Sequence, residues 1–358
     1  MRLYRVYKEG QLKALVKVLG IESTAHTFGV GVVDIEKDNF ILADARAQYS
    51  PAVGGIHPRE AARFMAENAP KVLRSALEEA KLKIRELDAI AVALGPGLGP
   101  CLRVGATVAR TLAAYYEKPL VPVNHAVAHV EIGIKLTGAK DPVVVYLSGG
   151  NTLVAAFVEG RYRVFGETLD IALGNLLDVF AREVGLGPPY VVKGVHVVDA
   201  CAEKGEEVLD LPYVVRGQDV AFSGLLTAAL RLFKKGKKLE DICLTLREMA
   251  YNAVVEVAAR CLVHTGKREV MLVGGVTASP YLREKFEKMC KLYDAELRVV
   301  PPRYAVDNGV MIAWTGALAY SKGIVVPVED AVIRQRWRID EVDIPWRNQL
   351  YRRFLRQK

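Results

Sequence analysis

The chain has 358 residues, 51% hydrophobic and 25% charged, with a formal net charge of +8. It is long enough for two domains with a substantial core, and no run approaches the roughly 20 apolar residues that a membrane helix requires. The N-terminus "MRLYRVYKEGQLKALVKVLGIE" lacks an apolar h-region with a cleavage site, so a soluble cytoplasmic protein with no membrane partner is expected. The five cysteines, Cys101, Cys201, Cys243, Cys261 and Cys290, are scattered and never in C-x-x-C spacing. That excludes a thiolate zinc site of the usual spacing and fits a reducing compartment.

In chain order, "LKALVKVLGIE" and "TFGVGVVDIE" predict two β-branched strands around the polar turn "STAHT". "HPREAARFMAENAPKVLRSALEEAKLKIREL" predicts a helical stretch interrupted at Pro70. The apolar run "LDAIAVALG" leads into a glycine loop, "GPGLGPCLRVG", and then an apolar-faced helix, "GATVARTLAAYYEK". After "KPLVPV" comes "VNHAVAHVEIG", in which Asn124 is placed to cap a helix. His125 and His129 lie four positions apart and share one face of that helix. A zinc-protease reading fails, because the pattern needs Glu directly after the first His as general base and Ala126 stands there. Spacing alone leaves a metal site for other chemistry or two ordinary histidines on a helix flank.

Near residue 142 the grammar restarts. "DPVVVYLSGGNTLVAAFVEGRYRVFGE" is again strand, polar glycine turn, strand, and "REVMLVGGVTASPYLREKFEK" again closes on an apolar strand, a glycine loop and a helix. "YAVDNG" then opens the final helix "VMIAWTGALAYSKG". This approximate duplication implies two similar α/β lobes facing each other across a cleft, with glycine turns presenting backbone N–H groups to an anion. There is no G-x-x-x-x-G-K-[ST], and "GPGLGPCLRVG" lacks G-x-G-x-x-G spacing, so a nucleotide is held in some other way. Residues 334–358 carry seven Arg and one Lys against Asp340, Glu341 and Asp343, interleaved with Trp337, Trp346, Tyr351 and Phe354. Such a stretch suits a docked segment or a nucleic-acid surface, with Arg347, Arg352, Arg353 and Arg356 as candidate phosphate contacts.

"LGIESTAHTFGVGVVD", "HPREAA", "GPGLGPCLRVG", "NHAVAHVEIG", "YLSGGNT", "FSGLLTA", "VGGVTAS" and "VDNGVMIAW" occur in the order and approximate spacing of the tRNA threonylcarbamoyladenosine transferases. Over about residues 17–346 the chain resembles that family, most of all its archaeal and eukaryotic branch, the catalytic subunit of the KEOPS complex, which shares "AHTFGVG" and "RWRIDEVDIPW". The resemblance implies an α/β, actin-like (ASKHA) fold of two duplicated RNase H-like lobes around a central cleft. Lobe I would span 17–141, completed by 308–326, and lobe II 142–307, followed by a basic tail over 334–358. It also implies transfer of the threonylcarbamoyl group from threonylcarbamoyl-adenylate to the exocyclic amine of the adenosine 3′ of the tRNA anticodon. The family's metal ligands fall on His125, His129 and Asp307, with Tyr146 a weak fourth; the ion would be one divalent iron or zinc per subunit. Nucleotide-contacting positions, for the adenylate or for ATP, fall on Tyr146, Leu147, Ser148, Gly149, Gly150 and Asp178, and on Asp199 and Ser279. Partners would be tRNA and KEOPS-type subunits, including a separate small kinase, since the chain stops at Lys358 without a fused one.

The residue types suit the chemistry. An adenine amine is a poor nucleophile, so the carbamoyl carbonyl must be polarised; two imidazoles and a carboxylate can hold a cation that does so while leaving coordination positions open. The "SGGNT" amides would stabilise the leaving adenylate, with phosphate, water or Asp178 taking the proton. Two departures stand out. "GLGPPYVVKGVHVVD" replaces the family's Gly-Tyr-Pro-Gly-Gly-Pro run and ends on Asp199 where a ribose-binding glutamate is usual, and Ser279 replaces the common Asn. The rival readings are an ATP-hydrolysing actin- or Hsp70-like switch and, against Ala126, a metalloprotease.

Overall fold

The computed structural model describes residues 16–50, 55–192 and 194–347. These form two compact units. The first comprises the described residues up to Tyr49 together with Pro58–His125 and Asn308–Arg336; the second contains Ala126–Asp307 and the chain from Trp337 on.

The first unit begins with three strands, β1 (Lys17–Glu22), β2 (Thr27–Asp34) and β3 (Ile41–Gln48). Helix α1 (Pro58–Ala80), β4 (Ala89–Gly95), α2 (Gly99–Tyr116) and β5 (Leu120–Asn124) follow. The sheet order is β3-β2-β1-β4-β5, antiparallel through the hairpins and parallel from β1 to β5. Helix α3 (His125–Thr137) leads into the second unit, where β6 (Val143–Leu147), β7 (Thr152–Val158) and β8 (Arg161–Glu167) precede α4 (Leu173–Glu183). The short pair β9 (Val191–Val192) and β10 (Val195–His196) leads to α5 (Val197–Ala202). A second short pair, β11 (Val215–Arg216) and β12 (Asp219–Val220), is followed by α6 (Ser223–Lys234) and α7 (Leu239–Thr265). The unit closes with β13 (Glu269–Val273), α8 (Pro280–Leu292), β14 (Glu296–Val299) and α9 (Pro302–Ala305). Its sheet runs β14-β13-β6-β7-β8, the same order and strand directions as the first, so the layout repeat in the sequence is a repeat of topology. The last helix, α10 (Gly309–Tyr320), returns to the first sheet and packs on β1, β2 and β4.

Alternation along β1 shows how that sheet is covered. A Cβ on Gly20 would lie 2.1 Å from the backbone nitrogen of Ala313 in α10, whereas the neighbouring Ile21 side chain points towards Gly105 of α2. Helices therefore cover both faces, and strands buried on both sides read as unbroken apolar runs. In the second unit Val143, Val145 and Leu147 of β6 join a core with α4, α6, α7 and α8, while Val144 and Tyr146 face Val127 and Val130 of α3.

Two expectations about local structure are corrected. Helix α1 continues through Pro70, because its buried stripe, Ala61, Met65, Ala69, Val72 and Ala76, runs past the proline. Pro70 is exposed, and so is Ala66, to whose carbonyl a proline offers no amide donor. The glycine loop "GPGLGPCLRVG" is for the most part the beginning of α2, which starts at Gly99 with Pro100 in its first turn. Its glycines serve close packing: a Cβ at Gly105 would stand 2.1 Å from Ser23 Oγ, and one at Gly97 2.6 Å from the Thr24 carbonyl oxygen. Gly105→Ala is therefore expected to cost about 1–3 kcal/mol by overpacking, measured by chemical denaturation.

The C-terminal stretch is docked as far as it is described. Ile339 and Ile344 sit in the core that includes Val127 and Val130 of α3, and the Ile344 amide donates to the Gly160 carbonyl at 2.8 Å. Arg347 is only 6% exposed and donates to Tyr162 Oη at 2.7 Å and to the Lys140 carbonyl at 2.6 Å. It is a core anchor and no phosphate contact. Arg352, Arg353, Arg356, Tyr351 and Phe354 lie outside the described residues.

Candidate metal centre

Asn124 closes β5, and His125 begins α3 in the next position. His125 is buried, with Nδ1 2.9 Å from Glu22 Oε2. A carboxylate can only accept, so Nδ1 carries the proton and the lone pair is left on Nε2. Glu22 stands at the end of β1, and its other oxygen accepts from the Thr24 amide at 2.6 Å and from the Thr24 hydroxyl at 2.5 Å. The Thr24 hydroxyl is also 3.3 Å from His125 Nδ1. Both tautomer and ring orientation are thereby set, as carboxylate partners set them for ligating histidines.

One turn on, His129 Nε2 lies 3.3 Å from Asp307 Oδ1. Asp307 follows α9 and precedes α10, where Asn308 supplies the cap by accepting the Met311 amide at 2.9 Å. His125, His129 and Asp307 each offer one donor atom, and these atoms lie within 4.8 Å of one another. The 3.3 Å separation compares with about 3.4 Å between two ligands each 2.1 Å from one tetrahedral ion. Two imidazoles and one carboxylate form a donor set for zinc or non-haem iron with positions left open. The Tyr146 ring packs against His129, centroids 4.9 Å apart and planes inclined by 37°.

The residues assigned to the nucleotide lie apart from this trio along the chain. Leu147 ends β6 in the core, and Ser148, Gly149 and Gly150 form the turn to β7. The amides of Gly150 and Asn151 donate to Ser148 Oγ at 3.3 and 3.0 Å and close the turn. Asp178 in α4 accepts from His196 Nε2 at 3.1 Å. The tautomer of His196 follows from its other nitrogen, which accepts the Val198 amide at 3.1 Å and caps α5. Asp199 is buried, and its two oxygens are 2.9 and 3.1 Å from the Tyr251 hydroxyl. Ser279 caps α8 by accepting the Leu282 amide at 3.3 Å. Burial first, then the Asp199 charge, pushes the Tyr251 pKa far up.

Comparison with known proteins decides the family. The TsaD family model, tRNA N6-adenosine threonylcarbamoyltransferase, matches residues 41–314. The chain belongs to this family. A tRNA N6-adenosine threonylcarbamoyltransferase of Hyperthermus butylicus is 60% identical over 346 residues, covering 96% of this chain and 95% of the relative. One of Aeropyrum pernix is 61% identical over 331 residues, covering 92% and 95%. The chain is thus a transferase acting in tRNA modification, and its fold is the actin-like one. Among solved structures, HypF of T. kodakarensis superposes with a TM-score of 0.58 at 16% identity, over 87% of this chain and 48% of HypF. An activator of 2-hydroxyisocaproyl-CoA dehydratase from Clostridium difficile gives 0.51 at 12% identity, over 86% and 96%. Among the described residues no helix is long and apolar enough to cross a membrane.

Glu22, Thr24, His196 and Tyr251 did not figure among the site residues read from the sequence. Only Glu22 left a signal there: a charged residue ending a strand that is otherwise apolar, next to the polar turn "STAHT".

Proposed function

We propose that this transferase moves the threonylcarbamoyl group of threonylcarbamoyl-adenylate to the exocyclic amine of the adenosine 3′ of the tRNA anticodon. One divalent ion, iron or zinc, is held by His125, His129 and Asp307, with Tyr146 a weak fourth ligand. The observation that carries the reading is the approach of those three donors to within 4.8 Å, with Glu22 turning His125 Nε2 outward. A cation held by these residues would supply Lewis-acid polarisation of the carbamoyl carbonyl and leave coordination positions open for substrate. The adenylate lies along Tyr146–Gly150 and Asp178, with Asp199 and Ser279 as further nucleotide-contacting positions. The amine attacks the carbonyl carbon, the bond from that carbon to the phosphate oxygen breaks, and AMP leaves. The amine proton passes to solvent or to Asp178, whose second oxygen is left to accept while Oδ1 takes the His196 proton bond.

KEOPS-type subunits, including a separate small kinase, place the tRNA, because a +8 chain attracts RNA without thereby choosing an anticodon loop. Incubation with threonine, bicarbonate, ATP, an adenylate-forming enzyme, the partner subunits and tRNA should yield the modified nucleoside by mass spectrometry. ATP hydrolysis without modified nucleoside would overturn the reading in favour of an actin-like switch. Full tRNA-selective turnover by the isolated chain would overturn the need for partners.

A further inference from the structure

One face of α4 is turned to the glycine turn that follows β6. A Cβ at Gly174 would lie 2.6 Å from the Ser148 carbonyl oxygen and 2.9 Å from Gly149 Cα, and the Gly174 amide donates to that same carbonyl at 3.2 Å. Asp178 stands four positions on, so it shares this face one turn further along the helix. The helix is fixed by its other side, where Leu173, Leu176, Leu177 and Phe180 are buried in the core. The carboxylate is the movable part, its side chain being 44% exposed, and the group that restrains it is the largely buried His196.

That imidazole is held at both nitrogens. Nδ1 accepts the Val198 amide at 3.1 Å, so a neutral ring carries its proton on Nε2 and donates it to Asp178 Oδ1, also 3.1 Å away. The backbone is held too: His196 pairs with Val191 across β9 and β10, and the Val197 amide donates to the Tyr190 carbonyl at 2.9 Å. All of this lies in the stretch "GLGPPYVVKGVHVVD", where the chain departs from the family pattern.

On the reading that Asp178 contacts the nucleotide, we propose that His196 is a positioning residue acting through it: the Nε2–H bond holds Oδ1 and thereby turns Oδ2 to a hydroxyl or amine donor of the bound adenylate. A carboxylate only accepts, so its partner on a nucleotide must be such a donor. A half-exposed carboxylate already locked in its rotamer loses less freedom on binding. His196 itself touches no substrate.

The test uses the full-length, metal-loaded protein, with AMP as the probe in titration calorimetry and the transfer assay alongside. In His196→Asn the amide oxygen can still cap α5 while the side chain falls short of Asp178; in His196→Gln the longer side chain can donate to Asp178 again. His196→Asn should therefore keep its denaturation midpoint yet raise the Kd for AMP about tenfold, the size of one hydrogen bond to a charged group. His196→Gln should recover most of that loss. In the transfer assay the loss should fall on KM for the adenylate and not on KM for tRNA. Asp178→Ala should also weaken AMP binding, and adding His196→Asn to it should cost nothing further, because the two act as one unit. AMP binding that Asp178→Ala weakens and His196→Asn leaves unchanged would overturn this inference alone, as would an undiminished His196→Asn loss in the Asp178→Ala background. AMP binding indifferent to Asp178→Ala would overturn it together with the reading on which it rests.

Discussion

His125→Ala, His129→Ala and Asp307→Ala are each expected to abolish stoichiometric metal binding and to lower transfer by at least two orders of magnitude, with the fold retained. Each removes one of three protein donors, and loss of an outer-shell partner alone typically costs about 10–100-fold in metal affinity or activity. Glu22→Gln should fall in that smaller range: the amide can present NH2 or oxygen to His125 Nδ1, so the tautomer is no longer imposed. Metal content by elemental analysis, circular dichroism and the transfer assay check all four variants together. The graded result, with three ligands equivalent and Glu22 milder, is what separates one joint site from two unrelated helix histidines. Full occupancy and near-normal transfer in either histidine variant would refute the centre.

Arg347→Ala should destabilise the protein by about 3–5 kcal/mol, the range for removing one partner of a buried charged pair. Tyr162 donates to Glu131 Oε1 at 2.5 Å and accepts from Arg347 Nη1 at 2.7 Å, and all three side chains are buried. Burial raises the Glu131 pKa and the Arg347 charge pulls it back, so without Arg347 the carboxyl shifts further upward. A carboxyl whose folded pKa lies above its unfolded value contributes stability that is fully present below the unfolded pKa and is lost as pH rises through the folded one. The Arg347→Ala penalty should therefore shrink on acidification through the carboxylate range, where Glu131 takes up a proton. Denaturation midpoints of variant and wild type across that range measure this; a pH-independent difference would mean that Glu131 is not the group left exposed to the loss. Because Glu131 lies two residues beyond His129 in α3, the clamp also ties the C-terminal stretch to the helix that carries both histidines.

The duplicated strand and helix order, the shared face of His125 and His129 and the family were all legible in the sequence, because they depend on periodicity, spacing and motif order along the chain. Such signals are local, and each half of the repeat carries its own copy. What surrounds His125 was not legible: Glu22 is 103 positions away and reaches Nδ1 only because β1 and the start of α3 are brought together in the first unit. Helix limits failed for a related reason. Pro70 and the glycines of "GPGLGPCLRVG" are local breakers, yet α1 keeps its buried stripe and α2 uses Gly105 to approach Ser23, so packing overrode local preference. Arg347 was read by charge as a phosphate contact, but composition carries no information on which side chain finds a buried carboxylate. Burial decided its role. The sequence by itself determined the fold type, the histidine pair and the chemistry they suit; only the tertiary structure decided how His125 is oriented, which residue caps α10 and where Arg347 is neutralised, because those depend on long-range approach of atoms that no local pattern encodes.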